Sequence, residues 1–315
     1  MSRTRDYRNI EAATTPAERH GSAGARSAGG LGGPVEAPHL QLMLAELQER
    51  DATGAIAGIY AEIRRLWAVP YVSSLQRHLA TRPGWLEWTW AALAPAFTSG
   101  RAQRVAWRAA DTLSVPRLAP ITRDALHVWG VDDAGQAAIR ATAASFVRVS
   151  PVNLMLSGLL RRLLTGERPA GSASAAAPWT PPPALGPLPA LVDPTKRPAA
   201  EQTVLATLGT TVGGQPFVPG LYRMLATWPA FLAHVATVLK PHLDDAATRA
   251  ACQRLLAAID AEIAAVFAAL PPSPPTPPIP PATEFKDVLA ALDTYRKTSP
   301  EMVVFGRMLA DALPA

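Results

Sequence analysis

The chain has 315 residues, a formal charge of +5 and one cysteine, enough length for one large or two medium domains and too few thiols for a disulfide framework. Hydrophobic residues make up 49 %, but Ala supplies much of that share. Period-two alternation is rare, so an all-α fold is predicted and no stretch reads clearly as sheet. The pI of 9.7 admits nucleic-acid binding, yet no zinc-finger, RNA-recognition or basic-zipper pattern accompanies it; a solvated Arg-rich surface and no nucleic-acid partner are expected.

Taken in chain order, residues 1–38 are rich in Arg, Gly, Ala and Ser and lack the apolar core of a secretory signal, which predicts a disordered tail. A first helical unit is expected over 39–164. In it Leu75 and Leu79 stack one turn apart, and Leu86, Trp90, Leu93 and Phe97 mark one helix face at spacings of four, three and four. Thr81 reads as a cap ahead of Pro83 in a first turn. Ser150 likewise reads as the N-cap of a helix beginning at Pro151, with Arg161 and Arg162 suiting its C-terminal dipole. The uncharged run from Ala170 to Val192 carries six prolines between Pro178 and Pro189. It cannot span a membrane as a helix, and 165–192 is predicted as an extended linker. A second helical unit should occupy 193–315, interrupted by a stiff polyproline-II loop over 271–281. LGTTVGGQP, Leu208 to Pro216, lacks a preceding strand and a P-loop lysine, so it reads as a helix-ending turn. Cys252 falls in a helical pattern and reads as an inert buried thiol. Soluble, cytoplasmic behaviour without a membrane segment is expected.

The two halves share wording. LQRHLATRPGWL, Leu75 to Leu86, returns as LYRMLATWPAFL, Leu221 to Leu232, at an offset of 146. Between Pro70 and Pro95 there are eleven identities in 26 positions, against about two or three expected by chance in so Ala- and Leu-rich a chain. RDAT, Arg50 to Thr53, resembles VDPT, Val192 to Thr195, and FVRVSP, Phe146 to Pro151, resembles YRKTSP, Tyr295 to Pro300. The expected architecture is an internally duplicated helical pseudo-dimer, each half covering the apolar face of the other, with a ligand cleft between them.

IYAEIRRLWAVPYV, LATRPGWLEWTW and above all LPALVDPTKRPA resemble the group I 2-haloacid dehalogenases, also called the halocarboxylic acid dehydrogenase family, from about Asp51 to the C-terminus. The resemblance implies an all-α pseudo-dimer that forms homodimers and needs no cofactor or metal. It implies hydrolysis of 2-halocarboxylic acids, in which an Asp activates a water that attacks C2 directly. Matched position by position, the catalytic Asp falls on Asp193, an aromatic pocket residue on Tyr71 and its neighbour three residues on at Ser74. The water-positioning Asn of the family is replaced by Ser150, and Asn153, one turn later, stands where the family has Tyr. Asp193, Ser150 and Asn153 are therefore expected to form a rearranged water clamp, with Lys196 either pairing with Asp193 or holding the substrate carboxylate.

Each of these residues also has a structural reading. Asp193 ahead of Pro194 and Thr195 is a common turn or cap, mirrored by Asp51. Ser150 is mirrored by Ser299 and Tyr71 by Phe217, whereas Asn153 faces Met302, and an amide is costly to bury for packing alone. The six histidines show no metal-ligand spacing, and no GxSxG or GxGxxG occurs. The alternative to a hydrolase is a non-catalytic member of the family that binds small acids or acts as an interaction protein.

Overall fold

The computed structural model describes residues 45–172, 179–212 and 215–315, all within one unit, Leu40–Ala315. The predicted tail, 1–38, lies outside the described residues. The rest is overwhelmingly helical, as composition and periodicity required.

Helix α1 (Gly54–Trp67) buries Tyr60, Ile63, Leu66 and Trp67 on one face and stops where Ala68 turns left-handed, at φ 52°. The short α2 (Ser74–Leu79) and α3 (Trp85–Thr98) follow, and Leu86, Trp90, Leu93 and Phe97 are all buried as the spacing predicted. In α4 (Arg101–Asp111), Ala102, Ala106 and Ala110 face inward at helical spacing, and Arg101, Arg104 and Arg108 face solvent. Helix α5 (Arg123–Val128) is capped by Thr122, and the 32-residue α6 (Asp133–Leu164) by Asp132, whose side chain accepts from the Gly135 amide. Then come α7 (Ala199–Thr207), α8 (Gly220–Leu225), α9 (Pro229–Leu243), α10 (Ala246–Ala268) and α11 (Phe285–Ala312).

The two longest helices, α6 and α11, pack against each other along the core, with α4 and α10 also against α6. Their backbones come close: a Cβ on Gly306 would lie 3.0 Å from Val147. Helix α6 is long and apolar enough to cross a membrane by composition, but 83 % of that stretch is buried inside the molecule. It is the central core helix.

Three local expectations need correction. The helix predicted to begin at Pro151 begins 18 residues earlier, at Asp133, and Ser150 is an interior residue instead of a cap. Pro151 forfeits one backbone hydrogen bond at a cost of about 3 kcal/mol. Burial of the whole run Val149–Leu160 outweighs it. Pro300 sits inside α11 in the same way. Thr81 does not cap α3; its hydroxyl donates to the His78 carbonyl and closes α2, and Gly84, at φ 76°, leads into α3. The segment read as a helix-ending turn does follow α7, but it is a hairpin: β1 (Thr210–Val212) pairs antiparallel with β2 (Gln215–Phe217), Thr210 opposite Phe217. Three-residue strands are too short to show period-two alternation, so the pattern had nothing to register.

Within 165–192, the described part lies against the body. The Leu185 amide donates to the Ala68 carbonyl at 3.2 Å, Arg148 reaches the Pro183 carbonyl at 3.0 Å, and Trp179 packs beside Trp107 with ring centres 6.2 Å apart. This strap carries Leu191 and Asp193 past the turn between α1 and α2, where a groove opens beside Tyr71.

Candidate active site

Between α6 and α11 lies a small cavity of about 40 Å³, room for about one or two waters. Four of the six predicted residues, Tyr71, Ser74, Ser150 and Asn153, line it; Asp193 and Lys196 do not. Tyr71 arrives on the turn between α1 and α2, its ring 5.7 Å from that of Phe146. Ser73 stands just ahead of α2 and Ser74 opens it. Ser150 and Asn153 come from α6; from α11 come Tyr295, Thr298, Ser299 and Met302.

Asn153 is the best-connected side chain here. Its Oδ1 accepts from Gln76 Nε2 at 3.0 Å, and its Nδ2 donates to Ser73 Oγ at 2.8 Å. The amide is thereby held rigid, with one N–H left over for a ligand. Ser150, one helical turn before it, is almost fully buried. The phenol oxygens of Tyr71 and Tyr295 are buried; they lie near the Ser73 and Ser74 hydroxyls, yet neither has a well-formed hydrogen bond. Burial pushes both phenols well above the ordinary tyrosine range, so each remains a protonated donor.

Two residues that sequence reasoning missed form the polar end of the cavity. Arg77 and Arg223, 4 % and 5 % exposed, share the buried carboxylate of Glu46, at 2.7 Å and 3.6 Å. Arg223 Nε also donates to the Val192 carbonyl at 3.1 Å. A signal was present: the same Arg stands between two leucines in both copies of the repeated phrase, in helices whose other residues are core. Glu46 left no comparable trace, because it precedes any periodic segment.

Asp193 borders a neighbouring groove of about 570 Å³ that shares Tyr71, Arg77, Leu191 and Arg223 with the cavity. Its Oδ1 accepts from the Thr195 amide at 3.0 Å and from the Thr195 hydroxyl at 2.7 Å, capping a single 3-10 turn. Lys196 Nζ stands 3.7 Å from Oδ2. Partial burial would raise this carboxyl, but the two Thr195 hydrogen bonds and the charges of Lys196 and Arg223 outweigh it and hold the group below its ordinary range. Lys196 is 81 % exposed; of the two roles considered for it, pairing with Asp193 is the one it has in this structure.

A wider cleft of about 640 Å³ opens beside the hairpin and α10 and contains none of the predicted site residues. Cys252 lies on it, half-buried, its thiol pushed up to about 12 by burial and by Glu301. Among the described residues no group of three or more His, Cys, Asp or Glu side chains could hold a metal ion.

No family model matches the chain. Individual proteins do. A configuration-inverting 2-haloacid dehalogenase of Alcaligenes xylosoxydans xylosoxydans is 30 % identical over 208 residues, 62 % of this chain and 68 % of the relative. An (R)-2-haloacid dehalogenase of Pseudomonas putida is 26 % identical over 250 residues, covering 72 % and 82 %. The solved complex of a D-2-haloacid dehalogenase with L-LA superposes with a TM-score of 0.66 at 19 % identity, over 86 % of this chain and 97 % of that one. A mutant bound to D-2-CPA gives 0.63 at 19 % identity, over 87 % and 97 %. With a buried polar cavity between its two long helices and this degree of likeness to curated relatives, the chain belongs to the 2-haloacid dehalogenase family.

Proposed function

We propose that this chain hydrolyses the carbon–halogen bond of short 2-halocarboxylic acids in the cavity between α6 and α11. The observation that carries the reading is the convergence of Tyr71, Ser74, Ser150 and Asn153 on one small space in a chain of this family. In the proposed reaction a water attacks C2 from the side opposite the halogen. Its proton passes to the Asp193 carboxylate, a bond forms between oxygen and C2, and the halide departs with the bonding electrons. A single displacement inverts C2, in keeping with the configuration-inverting relative. Ser150 and the free N–H of Asn153 would hold the water, supplying the orientation from which much of the acceleration comes. Tyr71 and Ser74 would flank the substrate.

For this role the Asp193 carboxylate must turn from its cap on Thr195 toward the cavity, past Leu191 and Arg223. That move would free it from Thr195 and Lys196, which hold it down, while bringing it closer to Arg223, which holds it down as well. A second reading follows from the same contacts. If Asp193 stays a cap, the chain is a non-catalytic relative that binds small acids. Halide release from 2-chloro- and 2-bromopropionate decides: the wild type should turn over and Asp193→Asn should lose at least about a hundredfold. Equal turnover removes Asp193 from the mechanism, and no turnover by the wild type favours the second reading.

We further propose that residues 39–164 and 193–315 are two copies of one ancestral unit joined by 165–192, with the cavity on their pseudo-twofold axis. The lining supports this, because it comes in pairs. Tyr71 and Phe217, Ser74 and Gly220, and Arg77 and Arg223 are 146 apart; Phe146 and Tyr295, Ser150 and Ser299, and Asn153 and Met302 are 149 apart. The Asn153–Met302 pair breaks the symmetry most strongly, with an amide at one end and an apolar thioether at the other. A symmetric pocket could not tell the carboxylate end of a chiral acid from the other; this asymmetry could.

A further inference from the structure

We propose that Arg77 and Arg223 together hold the carboxylate of the bound acid, with Glu46 as a built-in counter-charge that tempers their affinity for it. This rests on the reading that the cavity is the substrate site and takes from Lys196 the carboxylate-holding role considered above.

Both arginines line the cavity and the adjoining groove, so they stand where an acid arriving from the groove would enter. Both are buried, and among the described residues the carboxylate within ion-pair distance of each is Glu46, itself 3 % exposed. Within ion-pair distance two guanidinium groups share one carboxylate, an excess of positive charge in a place poor in water that the more distant Asp193 carboxylate also helps to balance at Arg223. Such an excess is unfavourable unless an anion joins it. A second observation points the same way: Arg77 Nε is buried without a hydrogen-bond partner. The unsatisfied phenols of Tyr71 and Tyr295 add two neutral donors on the same cavity. Buried donors without partners are rare and call for an acceptor.

The chemistry of the ligand follows from the donors. Planar guanidinium forks match the two oxygens of a carboxylate. The cavity, about 40 Å³, is smaller than propionate, so a bound acid would extend into the adjoining groove of about 570 Å³, which both arginines also line. Lys196, by contrast, is exposed and already beside Asp193.

Calorimetric titration with propionate and lactate, acids with no halogen to lose, tests the proposal without requiring turnover; propionamide serves as the neutral control. The wild type should bind both acids and not the amide. Arg77→Lys and Arg223→Lys, which keep the charge and lose the fork, should each weaken binding about tenfold. Glu46→Gln should tighten it several-fold, an effect opposite to that of a merely damaged fold. Thermal unfolding identifies which variants are folded, and any one folded variant is decisive. Propionate binding unchanged in a folded Arg→Lys variant, or unchanged or weakened in folded Glu46→Gln, overturns the proposal. So does wild-type binding of propionamide equal to that of propionate. Acid binding with this pattern but no halide release would leave the arginine assignment standing while removing the dehalogenation reading.

Discussion

Replacing Asn153 by Leu should destabilise the protein although it adds apolar surface to a buried position. The side chain is 6 % exposed and bridges Gln76 to Ser73. Its loss leaves the Gln76 amide nitrogen and the Ser73 hydroxyl without this partner, and Gln76 Oε1 already has none. Each newly unsatisfied buried group costs about 1–3 kcal/mol. The added apolar burial returns roughly 1–2 kcal/mol. The net expectation is a loss of about 0–5 kcal/mol, centred at about 2.5 kcal/mol, which at about 2 °C per kcal/mol for a chain of this size lowers Tm by about 5 °C at the centre of that range. Differential scanning calorimetry of Asn153→Leu, Ser73→Ala and the double variant measures it. Because the first substitution removes the bond that the second would remove, the cycle should show a coupling of about 1 kcal/mol. A Tm within about 1 °C of wild type, or strict additivity in the cycle, would refute the bridge and with it the rigid amide on which the water clamp depends.

Gly100 sits at φ 68°, and a Cβ there would lie 2.2 Å from the Trp179 ring. Gly100→Ala should therefore lower Tm and shift the Trp fluorescence as the strap lifts. In a Trp179→Ala background the clash is gone, and only the backbone strain, about 1–2 kcal/mol, should remain. The Asp193 carboxyl is depressed by Thr195, Lys196 and Arg223 against the effect of burial. A carboxyl lower in the folded than in the unfolded chain stabilises the fold above its unfolded value, near 4, and that contribution is lost as pH falls through the folded one. The stability gap between wild type and Asp193→Asn should accordingly be flat at neutral pH and close below about pH 4. Urea unfolding across pH 2–7 reads this directly, and a gap that widens on acidification contradicts the cap geometry.

Helical character, the inward faces of α2 and α3, and the likeness of the two halves were legible in the sequence, because each is written in local spacing. Periodicity records which side of a helix is buried. It does not record which helix lies opposite, and here the errors begin. Pro151 looked like a helix start because proline breaks an isolated helix, but packing of α6 against α11 overrides a local cost of a few kcal/mol. The hairpin at 210–217 was hidden by its brevity.

The site divides along the same line. Tyr71, Ser74, Ser150 and Asn153 were named from the sequence and meet in one cavity. Their convergence was decided by the packing of α2 and the turn before it against α6, which joins Gln76 and Ser73 to Asn153 across 77 and 80 positions of chain. The placement of Asp193 in the neighbouring groove was decided by a strap pinned through Leu185 and Arg148. The sequence by itself determined the helical class and that the repeated phrases each hold an arginine. Only the tertiary structure decided that those two arginines are buried around one glutamate, because charge balance is a sum over neighbours in space and no stretch of chain contains it.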